Sequence, residues 1–223
     1  MHKLIDDFVF TLEIEDVLKG QGIDPARASE RLFEGAEAVI EEALRIINPA
    51  AIYSTLDVVD FNHQRITFAG GFFEGPLVAR SMAGAEQLSI ALCTIGPHLD
   101  RRVTELMSEN PIRAVALDGA GIAAIRKVAL GVEEQICAEA CELALELGML
   151  TQPGQEGWPI EQQRQIFALL PADIIGVHLT ENCLMIPKKT VSFVIPRGSK
   201  MNNTACSCDL CSKQERCQWR KDI

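Results

Sequence analysis

The stretch "RAVALDGAGIAAIRKVALGVEEQICAEACELALELG", residues 113–148, decides the fold. Its apolar positions recur with helical spacing, and Ala or Gly stands where a neighbouring backbone would have to pack closely. The spacing predicts a helix from Pro111 to about Leu147, the longest element of the chain, stopped by Gly148 as helices often are. Asp118 sits in an otherwise apolar turn and is expected to be hydrogen-bonded within the fold. Cys137 and Cys141 share one face of this helix. Together with Cys93 and Cys183 they read as small buried hydrophobes.

Upstream, "PHLDRRVTELMSEN" (97–110) is a helix opened by Pro97, and "QLSIALCTIG" (87–96) a buried strand. "PLVARSMAGA" (76–85) forms a short helix behind a glycine-rich joint. "AIYSTLDVVDF" (51–61) and "QRITFAG" (64–70) read as two strands joined by a turn near Asn62-His63. Residues 22–49 give one helix, capped by Asp24 with Pro25 in its first turn and stopped by Asn48-Pro49. "FVFTLEIEDVL" (8–18) suits a short strand or the lead-in to a helix. Downstream, the loop "TQPGQEGWP" (151–159) precedes a short helix in "IEQQRQIFALLP" (160–171). Residues 174–198 then give strands about a turn at Pro187. Helices and strands without regular βαβ spacing predict an α+β domain over residues 1–198 with a mainly antiparallel sheet.

The 223 residues carry a net charge of −10, with 48% hydrophobic and 23% charged residues. Such acidity argues against a nucleic-acid partner. No apolar run reaches the roughly 20 residues of a membrane span. The acidic, alternating N-terminus does not read as a signal peptide, so a cytoplasmic location is expected. There, clustered cysteines bind metal more often than they form disulfides. Residues 199–223 are polar, net basic and hold half of the eight cysteines. Cys206, Cys208, Cys211 and Cys217 follow a C-x-C-x2-C-x5-C spacing that lets four thiolates converge on one metal centre, and Lys213, Arg216, Arg220 and Lys221 would offset its charge. Zinc and an iron–sulfur cluster both accept four cysteines, and spacing does not separate them. Disulfides or free thiols are the remaining alternative.

Four stretches in order carry a resemblance: "DVLKGQGIDP" (16–25), "CTIGPHLDRRVTELM" (93–107) followed by "LDGAGIAAI" (117–125), "QPGQEGWPIEQQRQIF" (152–167) and "LTENCLMIPKKTVSFVI" (179–195). Together they resemble the activation (reactivation) domain of cobalamin-dependent methionine synthase, in its stand-alone form. The resemblance implies a C-shaped single α+β domain with a twisted antiparallel sheet and long helices. It also implies a surface site for S-adenosylmethionine, whose methyl group restores methylcobalamin on a separate corrinoid-binding methionine synthase or methyltransferase module once an electron donor protein has reduced the cobalt. Cobalamin would be supplied by that partner. Carried over residue by residue, the ligand site would use Pro153, Gly154, Trp158 and Glu181, with Glu181 holding the α-ammonium group. Thr180, Pro159, Met185 and Pro187 also match.

The chain departs from the family pattern at the anchors. Leu150 stands where the family has an arginine for the methionine carboxylate, Gln155 replaces the aromatic of the loop, and Ile195-Pro196 replaces an aromatic pair beside the adenosine. Reduced affinity for S-adenosylmethionine follows. In this context a low-potential iron–sulfur centre in the tail would relay an electron; a structural zinc would pin the tail. Two functions remain open: support of reductive methylation of a corrinoid, and a non-catalytic docking or electron-relay module with a four-cysteine tail. His98 and His178 read as rim or core residues.

Overall fold

The computed structural model describes residues 2–201, together with Glu215 and Gln218. In chain order the elements are β1 (His2–Ile5), α1 (Ile14–Gly20), α2 (Glu30–Ile46), β2 (Ala50–Phe61), β3 (Arg65–Phe68), β4 (Gly71–Glu74), α3 (Pro76–Ser81) and β5 (Gln87–Thr94). They continue with α4 (His98–Glu109), α5 (Pro111–Glu142), β6 (Glu146–Leu147), α6 (Gln163–Leu169), β7 (His178–Leu179), β8 (Met185–Ile186) and β9 (Thr190–Gly198). Among the described residues, one seven-stranded sheet runs β4-β3-β2-β5-β9-β6, with β1 also paired to β2, and β7-β8 stands apart as a hairpin. Every pairing is antiparallel, and the sheet curls into a half-barrel. The α+β expectation holds.

Alternation along the central strands feeds two cores. Ala51, Tyr53, Ala91, Cys93, Phe193 and Ile195 face the helices. Ile52, Leu88, Ile90, Leu92 and Val194 face the other way, into a cluster closed by Trp158, Phe73 and Ile166. Successive strand side chains point to opposite faces, so one sheet serves both cores and neither exists without it.

Helix α5 underlies the first core, against α1, α2 and α4. The glycines explain how close they come. A Cβ on Gly20 would lie 2.1 Å from the Gly119 carbonyl oxygen, and one on Gly119 would lie 2.8 Å from the Val17 carbonyl oxygen. Helices α1 and α5 therefore cross backbone to backbone. Ion pairs frame the layer: Glu42 of α2 accepts from Arg102 of α4 at 2.9 Å and Arg113 of α5 at 2.6 Å, and Lys127 of α5 meets Asp16 of α1 at 2.8 Å. The Arg102 hydrogen bond, working against burial and helped by Arg113, holds the Glu42 carboxyl below its ordinary range. Asp118 is bonded within the fold, to Lys189 Nζ at 2.5 Å.

Several boundaries differ from the sequence reading. Helix α5 ends at Glu142, not near Gly148, because Ala144 takes a left-handed φ of 55° and Leu145 N–H donates back to the Ala140 carbonyl. That turn frees Glu146–Leu147 to pair with β9. The helix expected from Pro25 starts at Glu30; Asp24 instead accepts from Ala26 N–H and caps a single 3-10 turn. Residues 8–12 lead into α1, and the glycine-rich joint contains β4. Cys93 and Cys183 are buried, and burial pushes the Cys93 thiol far up, whereas Cys137 and Cys141 are exposed. In the second half of α5 only the stripe Val128, Val132, Ile136 and Ala140 is buried, and the two cysteines lie one step around it. No helix of the described residues is long and apolar enough to cross a membrane.

Gly20→Ala is expected to destabilise the protein by about 2 kcal/mol or more through overpacking, lowering the thermal midpoint by roughly 4–8 °C. Gly35→Ala, in the middle of α2 where an added Cβ meets nothing within 4 Å, should stabilise by about 0.5–1 kcal/mol. Thermal melts of the two variants beside the parent check both signs.

Candidate functional site

The loop of residues 151–159 is clamped at both ends. Thr151 exchanges two backbone hydrogen bonds with Val194 of β9, at 3.0 and 2.8 Å. Gly154 N–H donates to the Trp158 carbonyl at 2.8 Å, and Gly157 offers its carbonyl to Leu77 N–H at the start of α3 at 3.0 Å. Gly154 and Gly157 have φ of 92° and 85°, which side chains resist. Trp158 is 1% exposed and sets its ring edge-on against Phe73, with centroids 5.1 Å apart. Its Nε1–H donates to Gln162 Oε1 at 3.0 Å.

Gln162 is the hub that the sequence did not single out. Its Oε1 also accepts from Glu74 N–H at 2.9 Å, and its Nε2 donates to the Glu74 carbonyl at 2.7 Å. The amide of "IEQQ" carries no signal on its own, because its partners lie 88 residues earlier on β4.

The carried-over residues divide. Pro153 and Trp158 are buried, while Gly154 and Glu181 are exposed. Glu181 lies in the β7–β8 turn, where its carbonyl accepts from Arg164 of α6. Helix α6 thus brings that turn to the side of the loop, and the buried Gln163 links Ser192 at 2.6 Å with the Met185 sulfur at 3.0 Å. Ile195 does not join them, since its side chain is in the helix-facing core with Leu150 packed against the same cluster. Gln155 is committed to its own loop, accepting from Gln152 N–H at 2.9 Å. His98 and His178 are exposed. Cys206, Cys208, Cys211 and Cys217 lie outside the described residues, among which no group of three or more His, Cys, Asp or Glu could hold a metal.

A second polar group lies on the helix-facing side of the sheet. Arg197 of β9 pairs with Gln87 of β5, and Gln87 with Asp57 of β2, in one row across three strands. Gln87 Nε2 donates to Asp57 Oδ1 at 2.8 Å. The next row holds Ile195, Ser89 and Thr55, with 3.1 Å between the two hydroxyls. The third brings Tyr53, whose hydroxyl donates to Glu139 of α5; that carboxylate also accepts from Lys3 at 2.9 Å and Gln135 at 3.3 Å. Burial, then the Glu139 hydrogen bond, raises the Tyr53 phenol far above its ordinary value. Arg197 is 4% exposed, and burial lowers its proton affinity against the pull of Glu139, Tyr53 and Asp57. Among the described residues, Arg197 Nε and Nη1 and Gln87 Oε1 are buried without a hydrogen-bond partner.

No family model and no curated protein matches the chain. Among solved structures, the crystal structure of the MetH reactivation domain bound to AdoHcy is similar in fold, with a TM-score of 0.64 at 14% sequence identity over 92% of this chain and 81% of that one.

Gln162→Leu would leave the Trp158 indole N–H and both Glu74 backbone groups without their partner. A loss of about 3 kcal/mol or more is expected, at about 1–3 kcal/mol for each of the three groups left unsatisfied. Denaturant unfolding measures it, and tryptophan emission should shift to the red as the loop loosens.

Proposed function

We propose that the chain is an activation-domain-like protein that supports reductive methylation of a corrinoid with S-adenosylmethionine, on a separate methionine synthase or corrinoid methyltransferase. The observation that carries this reading is the fold shared with a reactivation domain that was crystallised with AdoHcy. The order of four sequence stretches points the same way. The chain's task in this reading is positional: to hold a methyl donor against a cofactor carried by another module. The reactive chemistry is that of the corrinoid and of an electron donor protein.

The ligand surface in this reading combines the exposed Gly154 with Glu181, while Pro153 and Trp158 set the loop's shape from within. The absence of an arginine at position 150 removes a charge-assisted pair worth roughly 1.5–3 kcal/mol. The second reading, a docking or electron-relay module that does not bind S-adenosylmethionine, draws support from Leu150 and Gln155, whose side chains are turned to structural contacts. In both readings Cys206, Cys208, Cys211 and Cys217 form one four-thiolate centre, iron–sulfur if the tail relays electrons and zinc if it is structural.

Two measurements test this. In the first, a corrinoid methionine synthase module without its own activation domain is inactivated and supplied with this protein, an electron donor and S-adenosylmethionine. Recovery of turnover is expected; recovery that is identical without the protein, or none, rejects the first reading. In the second, protein purified without oxygen is analysed for metals and by visible spectroscopy. One centre per chain is expected, lost on joint Cys206→Ala and Cys211→Ala substitution. Protein with neither iron nor zinc sinks the tail centre.

A further inference from the structure

We propose that the row Arg197–Gln87–Asp57, rather than Glu181, receives the α-amino-acid end of a ligand, with Arg197 taking the carboxylate and Gln87 and Asp57 the ammonium group. The starting point is an unmet demand inside the fold. Arg197 is 4% exposed, and its Nε and Nη1 have no partner among the described residues. A guanidinium does not give up its proton in a protein, so burial leaves it charged and in need of an acceptor. Beside it, across the strand pair, Gln87 has the opposite need. Its Nε2 is spent on Asp57, and its buried Oε1 lacks a donor.

The acceptors nearby do not meet the demand. Glu139 accepts from Tyr53, Lys3 and Gln135 on one oxygen and Asp57 from Gln87, and neither carboxylate is hydrogen-bonded to Arg197 Nε or Nη1. Both carboxylates act on Arg197 only at longer range. They also select the occupant. A plain anion entering toward Arg197 would be repelled by Asp57 at the exposed end of the row and by Glu139 above it. A ligand that carries an ammonium beside its carboxylate converts that repulsion into attraction. Neighbouring strands stand about 4.8 Å apart, so side chains of β9 and β5 can converge on two groups borne by one carbon.

The row lies along the segment where the family anchor is missing. Leu147 pairs with Arg197 across β6 and β9, and Leu150 and Ile195 pack into the same helix-facing core. Arg197 thus offers a guanidinium on the strand next to the residue that replaces the arginine. That the remainder of the ligand is adenosyl rests on the proposed activation-domain role; recognition of the zwitterionic end does not.

Calorimetric titration of the full chain with S-adenosylhomocysteine, with methionine and with sodium acetate tests the proposal, on the parent and on Arg197→Met and Gln87→Leu. Arg197→Met should keep or raise the melting temperature, since it removes an unpaired buried charge. It should weaken S-adenosylhomocysteine and methionine by about 10-fold or more, the loss expected for one charge-assisted contact. Gln87→Leu, read alongside, covers the case in which Arg197→Met does not fold, and a drop in affinity is expected there too. Methionine binding that depends on Arg197, without S-adenosylhomocysteine binding, supports this site and rejects the adenosyl ligand. S-adenosylhomocysteine bound equally by parent and both variants overturns this site and leaves the functional reading standing. Acetate binding as tightly as methionine, or no binding of any probe, overturns the proposal.

Discussion

Strand β5 is hydrogen-bonded along both edges, to β2 and β9, and seven of its eight residues are buried. That double burial sets the terms for the rest of the chain. Leu88, Ile90 and Leu92 need cover on one face, Ala91 and Cys93 on the other. The faces are unequal in side-chain size, so a slip of one residue in register would drive leucines against the helices and alanine into the opposite core. Two covers are therefore required, and the chain supplies them from different places. The long helices close one side, and residues 149–177 with β3 and β4 close the other.

The helical cover works by close approach. Small side chains on β5 and on the first half of α5 let the helix lie near the sheet, and the Gly20–Gly119 contact lets α1 lie on α5 with almost nothing between them. The first half of α5 is enclosed on most sides by α1, α2 and α4; the second half is buried along one stripe. This change of environment along one helix brings Glu139 over Tyr53 and leaves Cys137 and Cys141 in solvent.

The second cover shapes the candidate site. To close its core, the loop of residues 151–159 gives up Pro153 and Trp158 to packing, and Gln162 ties Trp158 to β4. What remains at the surface is Gly154, Glu156 and Pro159 of the loop and the β7–β8 turn with Glu181. Meanwhile the helix-facing ends of β2, β5 and β9 collect polar side chains, of which Arg197 and Gln87 keep buried atoms without a partner among the described residues. A row of side chains on three paired strands is held more rigidly than a loop.

The sequence by itself determined the α+β class, the long small-residue helix and the strand pair around Asn62, and it carried a resemblance in four ordered stretches to a domain whose fold this chain shares. These features rest on local periodicity and local turn chemistry, which neighbouring residues encode. The same locality hid the rest. An aspartate and proline at 24–25 look like a helix start, yet the chain makes only a single turn there, because Ala28 and Ser29 take extended backbone and α2 begins afresh at Glu30. The pattern of α5 runs on to Gly148 in the sequence, since nothing nearby says that Glu146 and Leu147 will be wanted by β9, some fifty residues later. Gln162, Gln87 and Arg197 look like ordinary surface residues in the sequence. Only the tertiary structure decided that they are partly or wholly buried and which groups face them, because a polar side chain acquires its partner, or lacks one, from strands that meet in space and not along the chain.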